Sequence, residues 1–165
     1  MVGSAFPATL CEGRWERPMR ESTAAIALIR RQHEGQTLWL AQWNRNWQRY
    51  HFVGGHKHPD ESFRQCVIRE VCEELNIVEG EDFLVADQPL AHLDYTAWST
   101  GARQETHYVM ELFDVQIVGD SAWHKVASND RNRWLTETEI REQRCPDGQA
   151  VSETMSRLLV QAKLI

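Results

Sequence analysis

Two periods of apolar residues alternate along this chain and predict where its helices and strands lie. In residues 63–75 the apolar side chains recur every three or four positions, as on one face of a helix; they are Val67, Ile68, Val71, Cys72 and Leu75. Ser62 and Gln65 form a capping box at the start of this segment. Asn76 fits its end, because asparagine tolerates positive φ. The pattern therefore predicts a helix from about residue 63 to 75.

Runs rich in small, β-branched and aromatic residues predict strands on both sides of this helix. Before the helix they are residues 23–31, 37–43 and 47–53, with a turn at 33–36 and a Gly-Gly turn at 54–55. After it they are residues 89–98 and 104–118, joined by a hairpin loop at 99–102.

Helices return towards the end of the chain. Residues 119–132 are polar and predict a loop. Thr136 and Glu139 form a second capping box, which predicts a short helix, and a last helix is expected over about residues 149–163. Strands around one central helix, followed by more helices, predict an α/β fold: an α/β/α sandwich with a mixed central sheet. We expect an irregular lead-in over residues 1–20 and one domain over residues 21–165.

Composition narrows the functional classes. The chain has 165 residues, 42% hydrophobic and 25% charged, as in an ordinary globular domain. Its net charge of −6 argues against a stable complex with nucleic acid or an anionic membrane surface. No apolar run reaches the roughly 18 residues that a membrane-spanning helix needs, and the N-terminus resembles no secretion signal.

The four cysteines are Cys11, Cys66, Cys72 and Cys145, and none forms a Cys-x-x-Cys pair. Cys66 and Cys72 lie six apart on one predicted helix, an arrangement that does not favour a disulfide bond. We therefore expect reduced thiols and a cytoplasmic protein.

Acidic residues on the central helix are the strongest candidates for chemistry. Glu70, Glu73 and Glu74 lie at positions i, i+3 and i+4, roughly opposite the apolar stripe. Such like charges destabilise a helix by roughly 0.2–0.5 kcal/mol per pair, whereas a hard divalent cation would make the arrangement favourable. A solvated acidic face is the alternative, with Arg69 paired to Glu73 at i,i+4.

The wider pattern decides between these interpretations. Gly55, five residues, Glu61, seven residues, then Arg69-Glu70-Val71-Cys72-Glu73-Glu74-Leu75-Asn76-Ile77 resembles the signature of the Nudix hydrolases (the MutT-like family). Asn76 stands where the family has its second glycine. The match runs from Gly55 to Ile77, 23 residues.

The resemblance implies a Nudix-type fold and hydrolysis of a nucleoside diphosphate linked to another moiety, with Mg²⁺ or Mn²⁺ as cofactor. By resemblance, Glu70, Glu73 and Glu74 hold the metal with the Gly55 carbonyl, and Glu61 supports them. Glu70 or another nearby carboxylate activates water, and Arg69 orients the carboxylates. Family members often pair, which suggests a homodimer.

Several other residues allow two interpretations, a functional role or an ordinary position on the surface. His51, His56 and His58 surround the Gly-Gly turn, as surface residues or as a zinc site. His56 or Lys57 near the substrate phosphates is a further expectation. Later acidic residues are either solvated or complete the site; they are Glu105, Glu111, Asp120, Asp130 and Glu137.

Seven tryptophans are many for this length. Trp39, Trp43 and Trp47 recur every four residues, so they either pack in the core or form a platform that stacks a flat group. Tyr50 and Phe52 are expected to join such a platform.

The sequence thus predicts a metal-dependent hydrolase of a diphosphate bond in a small nucleotide derivative. Two rivals remain. One is a non-catalytic nucleotide sensor on the same fold. The other is an enzyme like isopentenyl-diphosphate isomerase, for which Cys66 on the carboxylate side would be the cysteine.

Overall fold

The computed structural model describes residues 19–99 and 101–165. Its strands are β1 (Arg20–His33), β2 (Gln36–Asn44), β3 (Arg49–His51), β4 (Gly54–His56), β5 (Phe83–Val85), β6 (Ala91–Ser99), β7 (Gln104–Ile117) and β8 (Asn132–Thr136). Its helices are α1 (Phe63–Leu75), α2 (Asp120–Ser128), α3 (Glu137–Glu142) and α4 (Glu153–Gln161).

Within the described residues the eight strands form one mixed sheet. Strands β3, β2, β1, β7 and β5 follow one another across it, while β4 pairs with β1, β6 with β7 and β8 with β2. The long β1 and β7 run parallel in register from Arg20↔Thr106 to Ile29↔Val115, and the other pairs are antiparallel.

Alternating side chains of these strands build a hydrophobic core on each face of the sheet. On one face Ala25, Ala27 and Ile29 pack with residues of α1 and α2. On the other face Ala24 and Leu28 pack with residues of α3 and α4. We call these the α1 face and the α4 face. The layers confirm the predicted α/β/α sandwich with a mixed central sheet.

The central helix is confirmed to the residue. The Ser62 side chain accepts from the Gln65 backbone N–H at 3.1 Å, and the Gln65 side chain accepts from the Ser62 N–H at 2.7 Å. Asn76 ends the helix with φ 55° and ψ 47°, the left-handed conformation expected of it. The second capping box is present at Thr136 and starts α3.

Three expectations were wrong. Residues 119–132 are not a loop: α2 occupies 120–128 and buries Ala122 and Val126, two apolar positions too few to reveal a helix among polar neighbours. The Gly54-Gly55 segment is not a turn but the strand β4, antiparallel to β1. The last helix starts only at Glu153, because Ala150 pairs with Arg144 and Val151 with Tyr50 as isolated bridges.

The N-terminal lead-in lies almost wholly outside the described residues, as does Cys11. Strand β1 begins at Arg20, the last residue of the predicted lead-in. The boundary between a lead-in over residues 1–20 and a domain over residues 21–165 stays a prediction. Cys66, Cys72 and Cys145 are not disulfide-bonded. Among the described helices, none has the length and apolar character to cross a membrane.

Candidate active site

Arg69 organises the acidic residues on α1. Its Nε and Nη2 donate to the two carboxylate oxygens of Glu61 at 3.1 and 2.8 Å, and its Nη1 donates to Glu70 at 2.7 Å. The same nitrogen lies 3.6 Å from Glu73. Arg69 also donates to the His56 carbonyl at 3.1 Å. One guanidinium therefore fixes the loop before α1 and two carboxylates on it.

Glu61 is held as a carboxylate by this contact. The two-pronged hydrogen bond from Arg69, helped by the His58 backbone N–H at 2.9 Å, lowers the pKa of Glu61 to about 2. Its oxygens are occupied by these donors, which fits a residue that supports the site from its edge.

Glu70 and Gly55 fit each other closely. A Cβ on Gly55 would lie 2.3 Å from Glu70 Oε1, so the carboxylate occupies space that any other residue would fill. The Gly55 carbonyl accepts a weak hydrogen bond from Cys66 Sγ at 3.5 Å. The carboxylate of Glu70 and the backbone of Gly55 are therefore neighbours, as the signature requires if both bind one ion.

Glu74 lies deeper than its neighbours on the helix. It accepts from the Gly54 N–H at 3.2 Å. The pKa of Glu74 is raised to about 7, first by burial and then by the negative charges of Glu70 and Glu73, while the hydrogen bond from Gly54 and the charge of Arg131 oppose the rise. Glu73 is the most open of the set, with 61% of its side chain exposed.

A buried network that the sequence did not reveal lies beside Glu74. Gln42, on the α1 face of β2, donates to the Glu74 carbonyl at 3.1 Å and to Asn132 Oδ1 at 3.0 Å. It accepts from Arg131 Nη2 at 2.6 Å. Gln42 is fully buried. A polar residue within an apolar strand run was the signal available, but Arg131 and Asn132 lie 89 and 90 residues further along the chain.

The predicted substrate-binding residues separate into two groups. His56 follows Gly55 in β4 and therefore faces the other way, where its Nε2 lies 3.1 Å from Ser22 Oγ. Trp43, Tyr50 and Phe52 likewise pack with the α4-face core, and Tyr50 and Phe52 are buried there. These positions, opposite the glutamates, give a substrate role no support, and it stays a prediction.

Lys57 and Trp47 lie differently. Lys57 Nζ donates to the carbonyls of His58 and Glu61 at 3.0 and 2.8 Å, so it ties the loop before α1. Trp47 is 59% exposed and lies beside His51, with 5.5 Å between the ring centroids. Trp39 is buried in the α4-face core.

The three histidines near β4 do not share a centre. His51 is on β3, and His56 contacts Ser22 on the α4 face. Among the described residues, no group of three or more His, Cys, Asp or Glu side chains already stands ready to hold a metal. This applies to zinc and to the α1 glutamates alike.

The later acidic residues are dispersed. Glu111 lies in the same row as Gly55, two strands away with Ala25 between them, and contacts His92 at 3.2 Å. Glu137 is paired with Arg141. Asp130 immediately precedes Arg131, which contacts the network beside Glu74. Glu105 and Asp120 are exposed.

One protein family combines the features described so far, which are the mixed sheet, helix α1 and the glutamates around Arg69. The chain belongs to the NUDIX domain family, whose model matches residues 19–158.

Solved structures agree at the level of the fold. The Caenorhabditis elegans Ap4A hydrolase is 20% identical, with a TM-score of 0.54 over 87% of this chain and 98% of that one. The MutT protein of Methanosarcina mazei Go1 is 18% identical, with a TM-score of 0.57 over 90% and 96%. No curated protein matches the sequence.

NrtR of Shewanella oneidensis is a further structural relative. Its NUDIX domain, solved with ADP ribose, is 17% identical, with a TM-score of 0.55 over 87% of each chain. In the NrtR structure with a 27mer DNA, the match (18% identity, TM-score 0.55) takes in 86% of this chain but only 60% of NrtR.

Proposed function

We propose that this chain is a Mg²⁺- or Mn²⁺-dependent hydrolase that cleaves the diphosphate bond of a nucleoside diphosphate linked to another moiety. The observation that carries the proposal is the set of carboxylates arranged around Arg69. The guanidinium holds Glu61 and Glu70, and Glu73 remains open beside them. A solvated helix face would not need this fixed geometry.

The donor set fits a hard divalent cation. Glu70, Glu73, Glu74 and the Gly55 carbonyl supply only oxygen, which Mg²⁺ and Mn²⁺ prefer. Because burial and negative neighbours raise the pKa of Glu74 to about 7, its ionised form is costly without a nearby positive charge. A cation would supply that charge. When bound, such an ion neutralises the diphosphate oxygens and acidifies water.

The chain's own residues perform the remaining steps. Arg69 keeps Glu70 against Gly55, so its carboxylate stays oriented. Glu70 or a neighbouring carboxylate takes the proton of the attacking water. The water oxygen forms a bond to one phosphorus, and the bond from that phosphorus to the bridging oxygen breaks. Both products then carry phosphate groups, and no covalent intermediate is needed.

The two rival functions are less well supported. Cys66 is fully buried and its thiol donates to the Gly55 carbonyl, so it offers no exposed group to an isomerase substrate. Burial also raises the pKa of Cys66 to about 11. A nucleotide sensor needs no cluster of catalytic carboxylates, although NUDIX-domain proteins such as NrtR were solved with ADP ribose and with DNA.

The decisive experiment is product analysis by mass spectrometry with a panel of substrates. The panel contains ADP-ribose, Ap4A, NADH, nucleotide sugars and nucleoside triphosphates, each with Mg²⁺, with Mn²⁺ and with a chelator. We expect metal-dependent cleavage of at least one class into two phosphate-bearing products, and ¹⁸O-labelled water identifies the phosphorus attacked.

Two results would contradict the proposal. Binding of a panel member without cleavage in either metal would favour the sensor. Conversion of isopentenyl diphosphate into an isomer, with no new phosphate group, would favour the isomerase. Glu73→Gln tests the metal site itself: it removes one charge from the exposed rim, and we expect it to slow the metal-dependent cleavage, by less than Glu70→Gln does, while circular dichroism stays unchanged.

A further inference from the structure

His51 carries a buried hydrogen-bond acceptor without a partner. Its Nδ1 lies 2.6 Å from the Phe52 carbonyl oxygen. A carbonyl only accepts, so Nδ1 carries the ring proton and Nε2 presents its lone pair. Burial lowers the pKa of His51, which keeps the ring neutral. Nε2 is shielded from solvent and has no partner among the described residues, which is costly for a polar atom.

This acceptor lies on the same face as the candidate active site. His51 is paired with Gln42 in the β2–β3 register, so the two side chains share the α1 face. Gln42 donates to the carbonyl of Glu74. The charge of Arg131 acts on the pKa of both His51 and Glu74, which places the two groups in one electrostatic neighbourhood.

A flat aromatic surface stands next to the acceptor. Trp47 packs edge-on against the His51 ring at 5.5 Å and 65°. Its loop is ordered by the Asn44 side chain, which accepts from the backbone N–H groups of Asn46 and Trp47. At 59% exposure the indole is free on one side. An exposed indole of this kind is suited to stacking a planar group.

Arg131 extends the same region towards solvent. It lines an open groove of ≈ 400 Å³ with Trp43, Asn44, Arg45 and Asn46. Two arginines and two asparagines there favour a polar, anionic molecule at the entrance. A nucleotide has the required parts: a planar base with hydrogen-bond donors and an anionic chain.

We infer that His51 Nε2 accepts a hydrogen bond from the exocyclic amino group of the substrate's nucleobase, while Trp47 turns aside from His51 and stacks on that base. This deepens the proposed function, and it rests on a nucleotide as substrate but not on its hydrolysis. A base with an oxo group at the same position, as in hypoxanthine, would set an oxygen lone pair against the Nε2 lone pair. The chain therefore selects amino-bearing over oxo-bearing bases.

Binding of AMP and IMP, measured by calorimetry, tests the inference, because the two nucleotides differ only at that group and at the adjoining N1, which carries a proton in IMP. We expect AMP to bind about tenfold more tightly than IMP, since IMP leaves the buried acceptor without a donor from the exocyclic group. His51→Phe keeps a ring but removes Nε2, and we expect it to erase the preference. His33→Phe, at the exposed β1–β2 turn, is the matched control and should keep it.

Equal binding of AMP and IMP, binding of neither, or a preference that survives in His51→Phe would overturn the inference and leave a buried water as the occupant of Nε2. If His51→Phe does not fold, the ¹⁵N resonance of Nε2 in the wild-type protein decides: it must shift with AMP and not with IMP.

Turnover separates this inference from the proposed function. Cleavage of adenosine and inosine substrates at equal kcat/KM would leave the hydrolase standing and overturn the role of His51. A preference for AMP without any cleavage would do the reverse.

Discussion

The two faces of the sheet use the same strands for different purposes. The α1 face carries polar side chains, those of Gln42 and His51. It also carries Gly55, whose lack of a side chain leaves room for the carboxylate of Glu70 on the acidic helix. On the α4 face, their immediate chain neighbours Trp43 and Tyr50 belong to a core with little polar content, and His56 is exposed there beside Ser22. Consecutive residues of one strand thus divide between the candidate site and the opposite face of the sheet.

This difference shows why proximity in sequence misleads near a functional motif. Side chains of a strand alternate between faces. The side chain of His56 therefore lies on the face opposite Glu70, although His56 is next to Gly55 in the sequence. Only every second side chain of these strands points to the α1 face and the candidate site. The comparison predicts that substitutions on the α1 face change activity and those of equal size on the α4 face do not.

Glu70→Gln should have the largest effect. It keeps the shape of the side chain but removes the charge held by Arg69 against Gly55, and we expect kcat to fall by about 10²–10³-fold, or roughly 3–4 kcal/mol. Steady-state kinetics on the substrate found by product analysis measures this. His56→Gln, one residue from Gly55 but on the α4 face, should stay within about twofold; equal losses in both variants would break the comparison.

Gly54→Ala should have the next largest effect, on stability. Gly54 has φ 145°, and a Cβ there would lie 2.3 Å from the Ala25 carbonyl oxygen, a backbone atom that cannot turn away. We expect the free energy of unfolding to fall by about 2–4 kcal/mol, measured by urea denaturation.

Gly55→Ala is the matched comparison for this change. The three atoms nearest to its Cβ would all belong to the flexible end of Glu70, so stability should fall by less than about 1 kcal/mol while turnover drops as Glu70 is displaced. A reversal, with Gly55→Ala the less stable variant, would contradict the packing described for β4.

A further expected effect is a pH dependence of stability in the metal-free protein. The pKa of Glu74 is about 7 in the folded chain and about 4.3 in an unfolded one, so between these values the folded chain binds more protons. Stability therefore falls as pH rises across that window. Glu74→Gln should remove this slope in urea titrations with a chelator present; parallel curves for variant and wild type would refute it.

Much of the fold could be predicted from local sequence. The capping box of Ser62 and Gln65 and the stop at Asn76 fixed α1 because each involves residues within four positions of one another. Helix α2 escaped prediction because only Ala122 and Val126 are buried on it. The strands β5 and β8 were too short to stand out, and their pairing partners are distant in the chain.

The candidate site likewise contains residues that the sequence predicted and residues that it could not predict. The acidic set lies on one helix, so its spacing alone placed Glu70, Glu73 and Glu74 together. The residues beside it come from separate strands, and nothing in the sequence joins Gln42 to Arg131 or Asn132. That link depends on the antiparallel register of β2 and β8.

The parallel pairing of β1 with β7 has a consequence for biosynthesis. Each pair in that ladder joins residues 86 positions apart, as Arg20 and Thr106 are, and contacts so far apart in sequence form slowly. While the ribosome makes the chain from its N-terminus, β1 and the complete α1 emerge long before their central partner strand. We therefore expect the nascent chain to stay open, its apolar helix stripe exposed to chaperones, until about residue 117 has been synthesised.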